Sequence, residues 1–465
     1  MPRARTRNQA LVAILQELGW PQEQLAARIR RVAAELGARE LTTVTRSHVS
    51  QWVLGSRPSA STARIVIEAL SRGLGRTVTL REIGFSSAED DTPAGPDWTS
   101  DTTSLLAELG ENDLDRRRRN LLATSAYSLA GLALPLDTWW DEAPVRTARK
   151  ASTTSATVTP ADVEGVREVA DFFSRRDQMR GGTDGRAALV AYLRTDMAAC
   201  LKRRPVSDAV RRDLHSAAGE LVYLAGWTAF DSREHRLAQH WFTLAVRLAA
   251  EADDAPLAGH VLRAMAHQAA DLGHGPAAVD LAAASLERGR YTRATPREKA
   301  LLGVVHARAL ASDGQRRAAV AALRRAENDL DQADSAAQDE PRRVFFFQQA
   351  SLAHETARTL HTLGDLNGAV QQFTRSTRLR RKQTFRRTHS VTLGYLGAAQ
   401  VQQGALDAAI ATWTEALDSM DGVHSGRARE TVVQMRRALS PFRQRGHAPA
   451  AELDDRARTV LGRIG

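Results

Sequence analysis

The sequence predicts an all-α protein with a small N-terminal domain and a long C-terminal array of helical repeats. Aliphatic residues and alanine dominate the 465 residues, while aromatic residues make up only 5%. The two-residue alternation that is typical of β-strands is nearly absent. Helix-closing glycines recur at similar intervals in the C-terminal part. A chain of this length exceeds what a single core usually supports, so two or more domains are expected.

The basic charge of the chain is concentrated at its N-terminus. The net charge is +10 and the sequence pI is about 10.4. Residues 1–85 contain thirteen Arg and six Glu, hence +7 in the first fifth of the chain. This placement favours a polyanion-binding N-terminal domain on a nearly neutral body, because clustered arginines attract nucleic-acid phosphates. A basic surface that is simply solvated is the alternative.

Residues 1–85 predict a helical domain of four or five helices from residue 8 onward. Each predicted helix is bounded by residue types that favour helix ends: a polar cap before the first turn, a proline within it, or a glycine after the last turn. The end signals, in chain order, are Gly19, Pro21, Gly37, Thr43 or Thr45, Gly55, and Ser61 or Thr62.

Residues 86–160 are predicted to be a linker that contains one apolar helix near residues 116–136. Residues 86–103 are acidic and contain Pro and Gly, and residues 141–160 are similarly loose. The segment 116–136 opens with four arginines, and an interrupted apolar run of about 17 residues follows, which is marginal for the roughly 20 that span a membrane. We therefore expect a buried helix and no membrane association. Its partner, the repeats or a second subunit, is left open.

Residues 161–465 predict helix pairs that repeat. In each pair a helix closes on a glycine, and a small residue opens the next helix four or five residues later, at intervals of 41, 50 and 40 residues. Residues 214–251 fit the same plan. Small residues let paired helices approach closely, and stacked pairs bury one continuous core. The pattern resembles a tetratricopeptide-type (TPR-like) α-solenoid with long repeats; an irregular helical bundle is the alternative. The four pairs are Gly273/Ala277, Gly314/Ala318, Gly364/Ala369 and Gly404/Ala408.

The stretch TRSHVSQWVLGSRP, residues 45–58, predicts a helix that presents a polar face. Val49, Trp52 and Val53 fall on the inward side at helical spacing. The opposite face is predicted to read bases in the major groove, where Arg matches guanine and Gln matches adenine. A solvated polar face is the alternative. The base-reading candidates are Arg46, Ser47, Ser50 and Gln51; the phosphate candidates are Arg57, Ser61, Thr62 and Arg64; and Arg3, Arg5 and Arg7 are candidates for an N-terminal arm.

These residues carry a resemblance to the helix-turn-helix of phage-repressor-like (XRE-type) regulators. The family pattern has Gln-x-x-Leu-Ala on the second helix and Val-Ser-x-Trp-x-x-Gly-x-x-Pro on the third. This sequence departs from the pattern by extending the second helix to about Leu36 and adding ARELTTVT before the third. The resemblance implies sequence-specific DNA binding. The matching positions are Gln22, Leu25, Ala26, Val49, Ser50, Trp52, Gly55 and Pro58.

A second resemblance covers residues 224–274 and residues 172–193. The family pattern has Ala-Gly-Trp-x-Ala-x-Asp before a helix that ends in Leu-x-Leu-Ala, and a Gly-Gly turn before a Tyr-Leu helix. Both resemble a set of streptomycete regulators, and the strong preference for Arg over Lys suggests a high-GC actinobacterial genome. The resemblance implies a cytoplasmic, nucleoid-associated regulator of differentiation or secondary metabolism. Candidate groove-lining residues for a ligand are Trp227, Asp231, Gln239, His267 and Gln268; packing by Trp227 and capping by Asp231 are the alternative.

The sequence carries no recognisable catalytic, metal or cofactor motif. His354, Glu355 and His361 lie close together, but a zincin helix needs its second His four residues after the first, and here the gap is seven. A Gly-rich phosphate loop and a nucleophile elbow are both missing from the sequence. Cys200 is the single cysteine, so no internal disulfide forms, in keeping with a reducing compartment. The basic stretch 378–389 is interpreted as a solvated face or dimer contact, with an acidic partner or DNA phosphate as alternatives.

Together these patterns predict a non-enzymatic transcriptional regulator. We expect a homodimer that binds double-stranded DNA at a pseudo-palindromic operator, with half-sites one helical turn apart. The repeats are expected to hold a peptide, small-molecule or protein effector. The rival function is a TPR-type protein–protein adaptor with a DNA-inert N-terminal domain. A narrower rival is a DNA-binding protein whose repeats serve only assembly.

Overall fold

The computed structural model describes residues 7–35, 38, 41–85, 98–115, 127–150, 154–335 and 340–464. Helices dominate these residues, and their strands are confined to one two-stranded parallel sheet, so the all-α prediction is confirmed. The chain divides into two compact units. The first comprises residues 1–101 and 120–142, and the second comprises residues 102–119 and 143–465. Within the described ranges, no helix combines the length and apolarity that a membrane crossing needs.

The first unit opens with four helices: α1 (Gln9–Glu17), α2 (Gln22–Glu35), α3 (Arg46–Val53) and α4 (Ala60–Leu74). Gly19 and Gly55 follow α1 and α3 with φ of +62° and +97°, a backbone region that glycine adopts at little cost. Both helix ends are therefore where the sequence predicts them. The start of α4 differs, because Ser59 rather than Ser61 or Thr62 precedes it and accepts a hydrogen bond from the Thr62 N–H. The predicted end signal Gly37 lies outside the described residues.

The core of the first unit forms around α3. Val49, Trp52 and Val53 are all buried and join the same apolar cluster as Leu25 and Ile29 of α2. The inward side predicted for α3 is therefore confirmed. Thr45 precedes the helix as predicted, and its backbone N–H donates to Nδ1 of His48 at 3.2 Å. Because one side of this short helix supplies the packing, its other side is left for solvent or a partner.

A buried carboxylate on α4 holds a later segment of the same unit. Glu68 is 3% exposed and accepts hydrogen bonds from Ser128 Oγ (2.7 Å) and from the N–H groups of Leu129 (3.3 Å) and Ala130 (3.0 Å). Arg72 completes the set at 2.8 Å. The helix predicted near residues 116–136 is corrected in its second half, because residues 127–136 contain only a 3₁₀ turn over 130–132. Residues 116–126 lie outside the described ranges.

The described part of the predicted linker contains the α-helices α5 (Thr102–Leu114) and α6 (Asp137–Ala148), so the interpretation of residues 141–160 as loose chain is wrong over 141–148. Helix α5 belongs to the second unit. Its Asp113 is buried, pairs with Arg186 at 2.8 Å and accepts a hydrogen bond from Trp241 Nε1 at 2.9 Å. The burial of Asp113 could not be predicted, because its partners lie more than 70 residues away in the sequence and an isolated aspartate is typical of a surface.

In its described residues the second unit continues with β1, the helical stretch α7 to α9, β2 and then twelve further helices. Strands β1 and β2 pair in parallel, with Val158 opposite Pro205. A π-turn over residues 193–197 joins α8 to α9. The elements are β1 (Thr157–Val158), α7 (Pro160–Arg180), α8 (Arg186–Tyr192), α9 (Ala198–Cys200), β2 (Arg204–Pro205), α10 (Asp208–Asp231), α11 (His235–Glu251), α12 (Ala255–Asp271), α13 (Gly275–Ala284), α14 (Pro296–Ser312), α15 (Arg316–Ser335), α16 (Gln349–Thr362), α17 (Leu366–Leu379), α18 (Arg386–Gln402), α19 (Leu406–Ser419), α20 (Gly426–Gln444) and α21 (Ala448–Leu461).

The predicted repeat turns lie between the paired helices α12/α13, α14/α15, α16/α17 and α18/α19. Each turn glycine has a φ between +77° and +81°. The predicted small residues need one correction, because Ala318 and Ala408 are exposed. The buried residue stands five positions after the glycine in every pair, where an alanine lets the two helices approach. These alanines, all 0% exposed, are Ala278, Ala319, Ala369 and Ala409.

The longer 50-residue interval contains an inserted segment. Between α15 and α16 the chain forms a 3₁₀ turn over Arg342–Val344 and then continues to Phe347 before the next helix. Val344 and Phe347 are buried, so the insertion packs against the repeats rather than looping into solvent. The longer repeat interval is therefore explained by a segment that packs within the second unit.

We predict that Glu68→Gln loosens the 128–130 segment, because the amide offers these donors a weaker acceptor and removes the charge that Arg72 faces. The expected cost is about 1–3 kcal/mol of local stability. Hydrogen exchange of the Leu129 and Ala130 amides measures it. Glu17→Gln is the control, since this glutamate is half-exposed and lies 3.8 Å from Arg76. Equal protection in both variants would contradict the prediction.

Candidate functional site

The outer face of α3 presents the residues predicted to read bases. Arg46, Ser47 and Gln51 are exposed, while Ser50 is half-buried. Leu54, at the end of the helix, is 50% exposed. The structure thus brings three of the four predicted residues to one accessible surface, with Ser50 at its edge. A short helix with an exposed Arg at its start and an exposed Gln in its second half has side chains that can form hydrogen bonds to base edges.

The arginines on this side of the first unit lack acidic partners. Arg46, Arg57 and Arg64 are exposed, and none forms an ion pair with a carboxylate in the described part of the chain. Other arginines of the unit differ from one another: Arg72 pairs with two glutamates and Arg76 with two more, whereas exposed Arg28 and Arg81 also lack an ion pair among the described residues. Charge is therefore left uncompensated next to α3 and the start of α4, where a phosphate would neutralise it.

The remaining phosphate candidates lie in the first turn of α4. Ser61 is exposed and Thr62 half-buried, and the Thr62 N–H is already engaged by Ser59 Oγ. Of the predicted N-terminal arm, Arg7 is exposed, and Arg3 and Arg5 fall outside the described residues.

A cavity of about 480 Å³ lies within the second unit. Alternate helices of the array line it, from α10 to α20, together with α7 and the inserted segment 340–347. Alternate helices facing one concave surface is the arrangement expected of a helical solenoid. Its size falls within the range of small-molecule sites.

A fully buried carboxylate binds two arginines of the cavity wall. Asp231, at the end of α10, accepts hydrogen bonds from Arg387 Nη1 (3.1 Å), Arg427 Nε (3.0 Å) and the Gly182 N–H (2.9 Å). A Cβ at Gly182 would lie 2.6 Å from the carbonyl oxygen of Thr228, so the position requires glycine. Arg387 also binds Asp177 of α7 at 2.9 Å. The start of the second unit is thereby joined to α18 and α20.

The pKa values of Asp231 and Asp177 are shifted in opposite directions. Burial alone would raise the pKa of Asp231, but the guanidinium groups of Arg387 and Arg427 hold it below the usual value. Burial raises the pKa of Asp177 to about 6, although Arg387 opposes this rise. Asp231 therefore carries the negative charge that two arginines share.

Further buried ion pairs fill the cavity wall. Arg308 pairs with Asp271 and with Glu355 (2.9 Å). Arg343, from the inserted segment, pairs with Glu220 at 2.9 Å and Glu298 at 2.6 Å. Burial opposes ionisation of Glu355, yet attraction by Arg308 lowers its pKa to about 2. These arginines are thus matched by carboxylates of neighbouring repeats.

Aromatic rings complete the wall. Trp227 is half-buried, and its ring lies beneath two guanidinium groups, those of Arg263 (5.5 Å) and Arg427 (4.9 Å). Arg263 also lies over the rings of Tyr223 (5.4 Å) and Phe346 (6.0 Å). Stacking of the guanidinium groups on aromatic faces stabilises these cations within the wall.

The five predicted groove residues have different positions. Trp227 and His267 both line the cavity, with ring centroids 5.8 Å apart. Asp231 is not a helix cap but the buried ion-pair partner described above. Gln239 and Gln268 are buried away from the cavity lining, where Gln239 accepts from Arg236 and Gln268 donates to the His235 carbonyl at 2.9 Å.

The arginines of the cavity were missed from the sequence. His260, Arg263 and His267 follow helical spacing on one face of α12, and this buried polar stripe was the available signal. The interpretation of 378–389 as a solvated or partner-binding face is wrong for Arg380 and Arg387, which are buried in the cavity wall. The sequence around a single arginine in an apolar helix does not indicate whether its side chain faces the core or the solvent.

The His354 and Glu355 pair also lines the cavity, and Nδ1 of His354 lies 2.9 Å from Thr392 Oγ1. His361 lies outside this lining and contacts Gln402. In the part of the chain that the structure describes, no group of His, Cys, Asp and Glu is arranged to hold a metal ion.

Comparisons with known proteins give a family model for part of the first unit and a distant similarity to a solved structure. Residues 11–86 match the family model described as the SP15 N-terminal domain. No curated protein matches the sequence. Among solved structures, the chain is similar to a signal transduction ATPase with numerous domains (STAND) protein with a tetratricopeptide repeat sensor from Pyrococcus horikoshii, at 10% identity and a TM-score of 0.39. The match covers 88% of this chain and 72% of that one.

We predict that Asp231→Asn destabilises the second unit by about 3–5 kcal/mol, because two buried arginines lose the charge that compensates them. Urea denaturation measures the change. Asp213→Asn is the matched control, since this aspartate pairs with Arg167 at the surface and its replacement should cost less than about 1 kcal/mol. Similar midpoints for the two variants would show that the network does not hold the unit together.

We predict that His354 makes the second unit less stable in mild acid. Burial lowers its pKa from 6.5 to about 3, so the folded state stays neutral while the unfolded state binds a proton below pH 6.5. Stability from this group is complete above pH 6.5 and is lost progressively toward pH 3. Between pH 7.5 and 5 the loss is on the order of 2 kcal/mol.

Urea denaturation at both pH values tests this, with His354→Asn expected to show the shallower pH dependence. His447→Asn is the control, because its side chain caps α21 and Asn preserves a cap. If the wild type and His354→Asn lose the same stability on acidification, the buried histidine is not the cause.

Proposed function

We propose that this protein is a sequence-specific DNA-binding transcriptional regulator whose helical repeat unit senses an effector. The observation that carries the proposal is the surface of α3 and the start of α4, where exposed Arg46, Arg57 and Arg64 have no acidic partner among the described residues. Exposed polar side chains on α3 lie beside these charges. Such a surface suits phosphate contacts that fix register and side-chain contacts that read bases.

The motif resemblance supports the same function. The residues shared with phage-repressor-like helix-turn-helix domains fall on α2, on α3 and just after it, and Trp52 anchors α3 as that pattern implies. In this proposal Arg46, Ser47, Ser50 and Gln51 read bases, and Arg57, Ser61, Thr62 and Arg64 contact phosphate. The similarity to streptomycete regulators suggests target genes for differentiation or secondary metabolism, in an actinobacterial cytoplasm.

The repeat unit supplies the second half of the proposal. Two copies of the chain would bind half-sites of a pseudo-palindromic operator, about 34 Å apart. An effector in the cavity changes DNA affinity only if it binds one state of the protein better than the other. The cavity lined by alternate helices is the feature that favours an effector over a purely assembling repeat array.

We predict that the Arg46→Ala/Gln51→Ala double variant loses sequence discrimination while keeping non-specific affinity. Each lost base contact should cost about 1–3 kcal/mol against the operator. The measurement is capture of fragmented genomic DNA on the purified protein at moderate salt, followed by titration of the enriched sites. Wild-type protein should enrich a few paired sites, which the variant should not enrich.

Two single variants calibrate this experiment. Arg57→Ala should weaken binding to all sequences and reduce the salt dependence by about one counterion per site. Arg31→Ala removes the same charge from a residue paired with Glu35 and should leave discrimination intact. Uniform or absent enrichment by the wild type would refute sequence reading and favour the protein–protein adaptor.

A further inference from the structure

Two arginines of the cavity wall have no counter-charge. Arg263 and Arg380 are 2% and 6% exposed, and neither forms an ion pair with a carboxylate among the described residues. The Nε atoms of both are buried without a hydrogen-bond partner. A buried charge without a partner is costly and is retained where something else compensates it.

The surroundings of Arg263 are aromatic rather than acidic. Its Nη2 donates to the Tyr223 hydroxyl at 2.6 Å and lies 3.0 Å from His260 Nε2. The guanidinium rests over the rings of Trp227 and Phe346. His260 is neutral, because burial and then the charge of Arg263 lower its pKa well below 6.5. The positive charge of Arg263 is therefore positioned but not neutralised.

Arg380 is held by neutral oxygens. Its Nη2 donates to the Ala350 carbonyl (2.9 Å) and to Ser376 Oγ (3.2 Å). Burial, and then repulsion by Arg387, lower its pKa to about 10, so the guanidinium remains charged at neutral pH. Its neighbour Arg387 has two acidic partners and Arg380 has none.

The contrast with the rest of the wall shows what is missing. Arg308, Arg343 and Arg387 each pair with at least two carboxylates. Arg427 shares Asp231 with Arg387. Most arginines of the wall thus have acidic partners within the fold. The guanidinium groups of Arg263 and Arg380 do not have such a partner among the described residues, and both line the same cavity.

We propose that this cavity binds a small aromatic organic acid, with its oxyanion paired to Arg263 and Arg380 and its ring against Trp227, Tyr223 and Phe346. A guanidinium group matches the planar geometry of a carboxylate or the oxygens of a phosphate. The cavity volume of about 480 Å³ suits one small molecule better than an extended peptide. This ligand would be the effector that the repeat unit senses, so its regulatory effect rests on the proposed function.

The test is calorimetric titration of the full chain, without DNA, with four probes: 2-naphthoate, 2-naphthyl phosphate, 2-naphthamide and inorganic phosphate. Both naphthalene anions should bind at least about tenfold more tightly than the neutral amide of the same shape, and more tightly than inorganic phosphate. Their order tells whether a carboxylate or a phosphate is preferred. Equal affinity of acid and amide, or no binding by either naphthalene anion up to about 1 mM, would overturn the proposal.

Arg263→Gln and Arg380→Gln should each weaken binding of the better anion at least about tenfold. Arg342→Gln is the matched control, because this cavity-edge arginine is half-exposed and paired with Glu164 at 2.8 Å. Its affinity should stay within about threefold of the wild type. A weakening equal to that of the two buried variants would overturn the assignment.

The comparison of acid and amide needs no variant, so it stands even if a substitution impairs folding. Failure here leaves DNA binding by the first unit untouched. A protein that binds the acid but enriches no genomic site would refute the regulator and keep the ligand site.

Discussion

Asp231 has no exposed surface and receives two guanidinium groups and one backbone N–H from three separate parts of the chain. Through Arg387 and Asp177 the same network continues into α7. In a solenoid each repeat contacts mainly its neighbours, so contacts over 150 residues or more are not required by the repeat itself. This network joins the first long helix of the second unit, α7, to its last repeats. These elements contribute to the cavity wall, so the wall depends on the network. A buried network of this kind adds little net stability over apolar packing, yet removing one of its members is costly. It therefore favours this one arrangement of the helices over others.

The helix pairs around the cavity depend on a simpler constraint. A glycine with positive φ ends the first helix, and an alanine five residues later is fully buried in all four pairs that the glycines mark. Only a small side chain allows the close approach, so the position tolerates little variation. In the longer interval the added residues leave this spacing intact and supply Arg343 and Phe346 to the cavity. The scaffold is thus regular where helices pair and irregular where the chain contributes to the site.

Helices and their ends were predictable because they depend on local chemistry: apolar spacing, capping residues and glycines at Gly19, Gly55 and the four repeat turns. The burial of Trp52 followed from the same spacing. The ion-pair network was not predictable, since Asp231, Arg387 and Arg427 are separated by up to 196 residues and each resembles a surface residue by itself. Helices α5 and α6 were missed for a related reason, because their acidic and polar residues, such as Asp113, find partners only in the folded unit. Trp227 and His267 were identified as groove residues, whereas Arg263, whose guanidinium lies 5.5 Å from the Trp227 ring, was not.

Uncompensated arginine charge occurs in both units, but its meaning differs with burial. Around α3, exposed Arg46, Arg57 and Arg64 are solvated by water, so the absence of a partner costs little and supports DNA binding only together with the face of α3 and its motif. In the cavity, Arg263 and Arg380 have lost most of their water, and each would gain from an anion far more than a surface arginine does. The two surfaces therefore call for different ligands: a polyanion that exchanges many weak contacts with solvent ions, and a single small anion that replaces a missing carboxylate. In the proposed regulator the first kind of binding would find the DNA site and the second would respond to a signal.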